Sequence, residues 1–120
     1  MRLIVLNVGV DIVAINRIDS ILNSERQARF LDKIFSDKEI TESKEKTNKS
    51  QYFSGRFAAK EAIKKALSSY DKTTDRSFKS IEVLNSSSGK PYVISKSNHD
   101  INISISHDGN YAVAFCVIDK

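Results

Sequence analysis

The amino-acid sequence predicts an α+β fold, a single domain in which a mostly antiparallel sheet packs against one long helix. Two patterns lead to this expectation. Apolar residues recur at helical spacing in the middle of the chain, and short β-branched runs separated by turn residues fill its last third. With 120 residues, 40% of them hydrophobic, the chain can bury one core and is too short for two large ones. We therefore expect one domain over residues 1–120.

The first predicted elements are a strand and a helix. Residues 3–11 are rich in β-branched side chains, and their alternation predicts a strand that ends at Asp11. One face of this strand carries Leu3, Val5, Asn7, Gly9 and Asp11. From about residue 14 to residue 31, isoleucines and leucines recur at helical spacing and predict a helix.

Two further helices are expected in the middle of the chain. Ser36, followed three residues later by Glu39, is a capping-box pair that marks the start of a short helix. The strongest helical pattern runs from about residue 50 to residue 69, and its apolar side includes Phe53 and Phe57. Because this helix is the longest amphipathic element, we expect it to cover the sheet.

The last third of the chain predicts two hairpins. Residues 81–84 and 92–94 flank one turn, and residues 101–107 and 111–118 flank a second turn at residues 108–110. The first strand of the second hairpin has one face made of Ile101, Ile103, Ile105 and His107. His107 is therefore the last inward-facing residue before the turn.

Positive charge is concentrated between residues 44 and 65. Seven Lys and Arg residues face two Glu residues there, so this basic segment carries +5 in a chain whose net charge is +4. Such a segment is either a solvated helix face or an anion-binding surface. A small nucleic-acid-binding module is a rival interpretation of the pI of about 9.2. Phe53 and Phe57 weaken it, because aromatic rings on the apolar side of a helix form no exposed stacking platform.

The sequence also limits where the protein works. No stretch approaches the roughly 20 apolar residues that a membrane-spanning helix needs, and residues 3–10 lack the cleavage site of a signal peptide. Cys116 is the only cysteine, which excludes an internal disulfide and a cysteine-based zinc site. Because it lies between apolar neighbours in a predicted strand, we expect a buried, inert thiol. These features favour a cytoplasmic protein.

Two carboxylates and a lysine in the first half of the chain could carry chemistry. Asp11 either has a structural role, capping the following helix or starting a turn, or holds a hard cation such as Mg²⁺. Glu61 and Lys65 are four residues apart and therefore share one side of the long helix. They form either an exposed ion pair or a site in which the carboxylate holds a cation while the lysine binds phosphate.

Two features in the second half have similar alternatives. His107 either bonds to backbone at the edge of the core or contacts a ligand at the end of the sheet. The Gly89-Lys90-Pro91 sequence is either a plain turn or the edge of a nucleotide site.

Three sequence blocks together resemble the short bacterial 4′-phosphopantetheinyl transferases, the holo-acyl-carrier-protein synthases. The first block is VGVDIV at residues 8–13, and the second, the most specific of the three, is FSGRFAAKEA at residues 53–62. The third is GKP at residues 89–91 with SISH at residues 104–107. Their order and spacing fit the family over nearly the whole chain.

This resemblance implies an activity and its central residues. The family transfers the 4′-phosphopantetheine group of coenzyme A to a serine of apo acyl carrier protein, releases adenosine 3′,5′-bisphosphate and serves fatty acid biosynthesis. By resemblance, Asp11 and Glu61 bind the Mg²⁺ that bridges the pyrophosphate of coenzyme A, and Lys65 contacts the phosphates. Glu61 and Lys65 are thus the implied catalytic residues. Glu61 is also the hypothetical base for the serine hydroxyl, acting directly or through a water on the metal.

The same resemblance implies the remaining contacts. The coenzyme A pocket would include Arg56, Gly89, Lys90, Pro91 and His107. Arg17 on the first helix would meet the acidic carrier protein, and the family's homotrimeric assembly implies a homotrimer. A third interpretation is a noncatalytic trimeric scaffold, in which substitution of Asp11 and Glu61 would change nothing measurable.

Overall fold

A computed structural model describes residues 6–67, 77–97 and 99–119. Two predicted features lie partly outside the described residues. They are the start of the first strand, with Leu3 and Val5, and the last residues of the helix predicted to reach residue 69. The elements run in the order β1 (Leu6–Ala14), α1 (Ile15–Leu22), α2 (Gln27–Ile34), α3 (Asp37–Ser43), α4 (Lys49–Leu67), a 3₁₀ turn (Phe78–Ser80), β2 (Glu82–Asn85), β3 (Pro91–Ile94), β4 (Asp100–Asp108) and β5 (Tyr111–Asp119). The predicted α+β fold is confirmed.

The strands form two antiparallel sheets where the sequence pattern suggested one. Strand β5 lies between β1 and β4 in a three-stranded sheet, while β2 and β3, among the described strands, pair only with each other. Both predicted hairpins are present. The short β2–β3 hairpin lies beside β4, so its turn is held next to the end of the larger sheet.

Helix α4 packs on one face of the three-stranded sheet, and small residues make this contact close. The buried side of α4 carries Ala58, Ala59, Ala62 and Ala66, all at most 1% exposed. Opposite them, Gly9 has no room for a side chain, since a Cβ there would lie 1.9 Å from the carbonyl oxygen of Ala62. Glycine therefore lets β1 lie directly against the middle of α4.

The first strand continues past the predicted end at Asp11. Ile12 and Val13 are β-branched and pair with Val113 and Ala112 of β5, so β1 reaches Ala14. The N-cap position of α1 is Ala14, which makes no side-chain capping bond. The prediction of a strand ending at Asp11 was therefore wrong, and so was the alternative in which Asp11 caps the next helix.

The helix expected over residues 14–31 is two helices, α1 and α2, separated by a turn. Asn23 donates to the carbonyl of Asp19, and the Ser24 hydroxyl donates to that of Ile21. These bonds compete with the helical backbone bonds and end α1. The predicted capping box of α3 is confirmed, because the side chains of Ser36 and Glu39 each accept a bond from the other residue's backbone N–H.

None of the described helices is long and apolar enough to cross a membrane.

The thiol of Cys116 is fully buried in β5, as expected. Burial raises its pKa to about 12, so it is protonated at neutral pH and unsuited to nucleophilic chemistry.

Candidate active site

The contact between β1 and α4 brings together the first group of predicted residues. The Lys65 ammonium lies 3.1 Å from Oδ1 of Asp11 and also donates to the carbonyl of Val10. Glu61 lies one helical turn before Lys65, on the same side of α4. Ala62, the residue after Glu61, is in contact with Gly9 of β1. The Asp11 carboxylate and the Lys65 ammonium therefore meet where β1 crosses α4, and Glu61 lies one helical turn away on the same side of α4.

The donor set at this crossing fits Mg²⁺. Among the described residues, the half-buried Glu61 carboxylate has no hydrogen-bond or ion-pair partner, so its oxygens are available to a ligand. The described ranges contain no cluster of three or more His, Cys, Asp or Glu side chains suited to a metal. Mg²⁺ commonly takes only one or two protein carboxylates and completes its coordination with water and substrate phosphates. Asp11 and Glu61 suit this mode of binding.

His107 reaches α4 one to two turns nearer its N-terminus. A Cβ on Gly55 would lie 2.9 Å from Nε2 of His107, so Gly55 makes the space in which the imidazole packs. Burial and the nearby Arg56 charge lower the pKa of His107, while a hydrogen bond with the Gln51 backbone opposes the shift. The imidazole is therefore neutral at pH 7 and lies against the helix, as its place on the inward face of β4 predicted.

Arg56 is buried between α4, α3 and β2. Its Nε donates to the carbonyl of Val83, and its Nη2 donates to Glu42 at 3.1 Å and to Oδ1 of Asn85 at 2.5 Å. The guanidinium also lies 4.5 Å from the centre of the Tyr52 ring. Arg56 therefore ties the β2–β3 hairpin to the long helix, a structural role that the sequence did not predict.

Glu42 is the acceptor at the centre of this network. Its carboxylate accepts bonds from Tyr52, from the backbone N–H of Asn85 and from Arg56. Burial alone would raise the pKa of Glu42, but these donors and the Arg56 charge outweigh burial and lower it. The pKa of Tyr52 is raised by burial and by its bond to the Glu42 carboxylate. The pair is thus an ionised carboxylate held by a neutral phenol at neutral pH.

The predicted Gly89-Lys90-Pro91 feature forms the end of the β2–β3 hairpin. Gly89 has a φ of +88°, a conformation that other residues rarely adopt. Lys90 and Pro91 face β4 across a cavity of about 330 Å³, whose other walls are Ser86, Tyr92, Ile101, Asn102 and Ile103. The turn is therefore the rim of a cavity, and Asn85 connects its hairpin to Arg56.

Comparison with known proteins identifies the family. The sequence profile of the 4′-phosphopantetheinyl transferase superfamily matches residues 7–116. The chain belongs to this superfamily. It is 47% identical over 112 residues to the holo-[acyl-carrier-protein] synthase of Thermodesulfovibrio yellowstonii, covering 92% of this chain and 96% of the relative. It is 39% identical over 119 residues to that of Anoxybacillus flavithermus, covering 97% of each chain.

Solved transferase structures share the fold over almost the whole chain. The holo-(acyl-carrier-protein) synthase of Bacillus anthracis, in complex with CoA (3′,5′-ADP), has a TM-score of 0.82 and 34% identity, with 98% of both chains covered. The Helicobacter pylori synthase in complex with coenzyme A has a TM-score of 0.79 and 32% identity, covering 92% of this chain and 98% of that one. The predicted family and the prediction of an enzyme are confirmed.

The structure of this transferase divides the basic segment. Lys60 is fully buried, 2.7 Å from Oε1 of the equally buried Glu39, and Arg56 is only 5% exposed. Residues 44–65 are therefore not one exposed cationic patch. Phe53 is buried and Phe57 is stacked on Phe78, as expected for the apolar side of the helix. Because the basic segment was one basis of the nucleic-acid interpretation, the burial of Arg56 and Lys60 weakens that interpretation further.

Sequence reasoning missed the acidic partners of these buried cations. Glu39 was identified only as a capping residue, although its second oxygen also accepts from the backbone of Val83. Glu42 was not singled out at all. The available signal was that Arg56 and Lys60 lie inside the most specific family block, residues 53–62. A buried Arg or Lys requires a nearby acid.

Arg17, the residue expected to contact the carrier protein, is exposed on α1, where a partner could reach it.

Proposed function

We propose that this transferase moves the 4′-phosphopantetheine group of coenzyme A to a serine of apo acyl carrier protein in the cytoplasm, for fatty acid biosynthesis. The products are holo acyl carrier protein and adenosine 3′,5′-bisphosphate. The contact between Lys65 and Asp11 beside Glu61 carries the proposal, since it combines cation ligands with a phosphate-binding ammonium. One domain over residues 1–120 would perform the whole reaction.

Asp11 and Glu61 would hold Mg²⁺ together with phosphate oxygens of the substrate. When bound, this ion supplies positive charge to the pyrophosphate, and charge neutralisation is the main requirement of phosphoryl transfer. Lys65, 54% exposed at its side chain, would turn from Asp11 toward a phosphate. In this role the ammonium would neutralise charge on the departing adenosine 3′,5′-bisphosphate.

The acceptor serine must lose a proton as it attacks. Its oxygen bonds to the phosphorus that carries the pantetheine arm, and the bond from that phosphorus to the adenosine bisphosphate breaks. Glu61 is the candidate base, because its carboxylate is half-buried and has no partner among the described residues. Asp11 is already bonded to Lys65, which disfavours the same role for Asp11.

The nucleotide end of coenzyme A would lie toward the other end of α4. Arg56 lies five residues before Glu61 on α4, and Gly55, against which His107 packs, lies six residues before it. These separations correspond to about 7.5 Å and about 9 Å of helical rise. The cavity beside Lys90 and Pro91 adds a site for the nucleotide. A long substrate such as coenzyme A could therefore contact both groups at once.

Two further contacts complete the proposal. Arg17 is exposed on α1, where its charge suits an acidic carrier protein. The face of β1 and β5 that points away from α4 exposes large apolar side chains: Leu6, Val8, Val10, Ile12, Tyr111 and Phe115. A contiguous apolar face of this kind favours burial against other subunits, and we propose that the enzyme is a homotrimer.

A direct test is a transfer assay followed by mass spectrometry. Purified enzyme, Mg²⁺, coenzyme A and an apo acyl carrier protein should yield a carrier with one added phosphopantetheine group. Asp11→Asn and Glu61→Gln should each abolish this mass gain, whereas Glu45→Gln, an exposed carboxylate outside the site, should retain it. Normal turnover by Asp11→Asn and Glu61→Gln would contradict the proposed site.

A further inference from the structure

A groove of about 710 Å³ lies between the N-terminal helices and the start of α4. Its volume is within the range of about 300–1,000 Å³ typical of small-molecule sites. None of the residues proposed for coenzyme A, Mg²⁺ or the carrier protein lines it. Helix α3 separates it from the smaller groove beside β2. The proposed transfer reaction therefore leaves this groove without a role.

The groove combines an apolar wall with a polar rim. Its apolar side chains come from all four helices: Leu22, Leu31, Ile40 and Phe53. Most of its polar side chains already bond within the protein: Asp19, Asn23, Gln27, Ser43, Lys49 and Ser50. These bonds hold the polar rim in place, while the four apolar side chains offer a surface against which an apolar ligand chain can be buried.

The rim favours an anion over a cation. Lys44 and Lys49 line the groove, while Asp19 is the only acidic residue among the described residues that line it, and Asp19 accepts a bond from the Ser50 hydroxyl. Lys49 donates to the carbonyl of Lys46. Across the described part of the chain, the Lys44 ammonium has no hydrogen-bond or ion-pair partner. A single negative group is thus the matching charge.

We propose that this groove binds an aliphatic carboxylate. The hydrocarbon chain lies against Leu22, Leu31 and Phe53, and the carboxylate lies at the ammonium groups of Lys44 and Lys49. The apolar wall recognises the chain by burial, and the rim selects the sign of the head group. This inference does not rest on the proposed transferase reaction, because the groove shares no residue with that site.

The test uses dodecanoate below its micellar concentration as the probe, with ¹⁵N-labelled full-length protein and no coenzyme A, Mg²⁺ or carrier protein. We expect saturable binding at one site per chain, with amide shifts concentrated at Leu22, Leu31, Ile40 and Phe53. Acetate, which has the charge without the chain, and dodecyltrimethylammonium, which has the chain with the opposite charge, should each bind at least about tenfold more weakly.

Charge reversal at two lysines on opposite sides of α3, Lys44 and Lys38, provides a matched comparison of dodecanoate binding. Lys44→Glu should weaken dodecanoate binding about tenfold, since an attractive contact becomes repulsive. Lys38→Glu changes the net charge equally but lies in the groove beside β2, so binding should stay within about twofold. Both side chains are exposed, so both variants should fold. Equal effects of the two variants, equal binding of dodecyltrimethylammonium, or shifts centred on the apolar face of β1 and β5 would overturn the proposal.

Discussion

The Lys65 ammonium and the Asp11 carboxylate form an ion pair of 3.1 Å at the crossing of β1 and α4. In the proposed enzyme this carboxylate also binds Mg²⁺, so the ammonium and the cation compete for one negative group. The ammonium therefore has two effects of opposite sign. It would weaken cation binding in the free enzyme, and it would supply charge to the phosphates once the substrate is bound.

Lys65→Met should separate these two effects. Loss of a positive charge beside Asp11 should raise the affinity of the substrate-free enzyme for a divalent cation about three- to fivefold. Transfer should become slower, because the phosphates lose the ammonium. Mn²⁺ titration followed by electron paramagnetic resonance measures the first effect. Lys64→Met is the control, since its ammonium lies over the Phe78 ring instead; equal affinities of the two variants would contradict the competition.

Glu42 is expected to position the hairpin that carries Lys90. Glu42→Gln removes the charge that holds Arg56, which in turn holds Asn85 of β2. The KM for coenzyme A should rise about three- to tenfold while kcat stays within about twofold, since binding geometry is lost and the reacting groups are untouched. Steady-state kinetics with varied coenzyme A measure this. Glu45 lines the groove beside β2, as Glu42 does, but is not one of the residues that hold Arg56. Glu45→Gln should therefore have the original KM.

His107 should make stability depend on pH. Its pKa in the folded protein is below the ordinary value of 6.5, so the unfolded chain binds the proton more readily in the interval between the two values. Stability conferred by the neutral imidazole is therefore lost as the pH falls below about 6.5. His107→Gln should show a smaller drop in Tm between pH 7.5 and pH 5 than the original protein. Parallel Tm profiles for the two proteins would refute this.

Local patterns in the sequence predicted most of the secondary structure. The Ser36–Glu39 capping box and both hairpins depend on residues a few positions apart, and all three are present. The turn after Leu22 was not predicted, because its side-chain bonds interrupt a helical pattern that continues on both sides. The family resemblance supplied Asp11 and Lys65 as neighbours, although 53 intervening residues separate them.

Distant polar contacts could not be predicted in the same way. Lys60 is in the basic segment and Glu39 begins another helix, so periodicity alone suggests two solvated side chains. Only the packing of α3 on α4 and β2 buries both and brings them within 2.7 Å. Arg56 and Glu42 meet for the same reason. Such pairs depend on tertiary structure, so spacing along the chain does not show which acid meets which cation.

The buried pair of Lys60 and Glu39 should matter greatly for stability. Lys60 also donates to the carbonyls of Ile34 and Phe78, yet burial lowers its pKa despite the nearby carboxylate. Lys60→Met leaves Glu39 buried without its counter-charge, which should cost about 3–5 kcal/mol in the free energy of unfolding. Urea denaturation measures the loss.

A matched exposed pair provides the control for this substitution. Lys79 lies 3.5 Å from Asp32, and both side chains are largely exposed, at 48% and 87%. Lys79→Met should therefore change the unfolding free energy by less than about 1 kcal/mol. Similar losses for the Lys60 and Lys79 variants would mean that burial of the first pair has no energetic consequence.

The exposed apolar face of β1 and β5 should determine the oligomeric state. Val10 and Ile12 are 55% and 62% exposed on this face, and Phe115 pairs with Val10 across the strands. Val10→Lys places a charge in the middle of the face, where burial against another subunit would leave it unpaired. Size-exclusion chromatography with light scattering should find a trimer for the original protein and a monomer for this variant. Ala28→Lys adds the same charge on the exposed side of α2 and should remain a trimer; a monomeric original protein, or a trimeric Val10→Lys, would show that this face is not the interface.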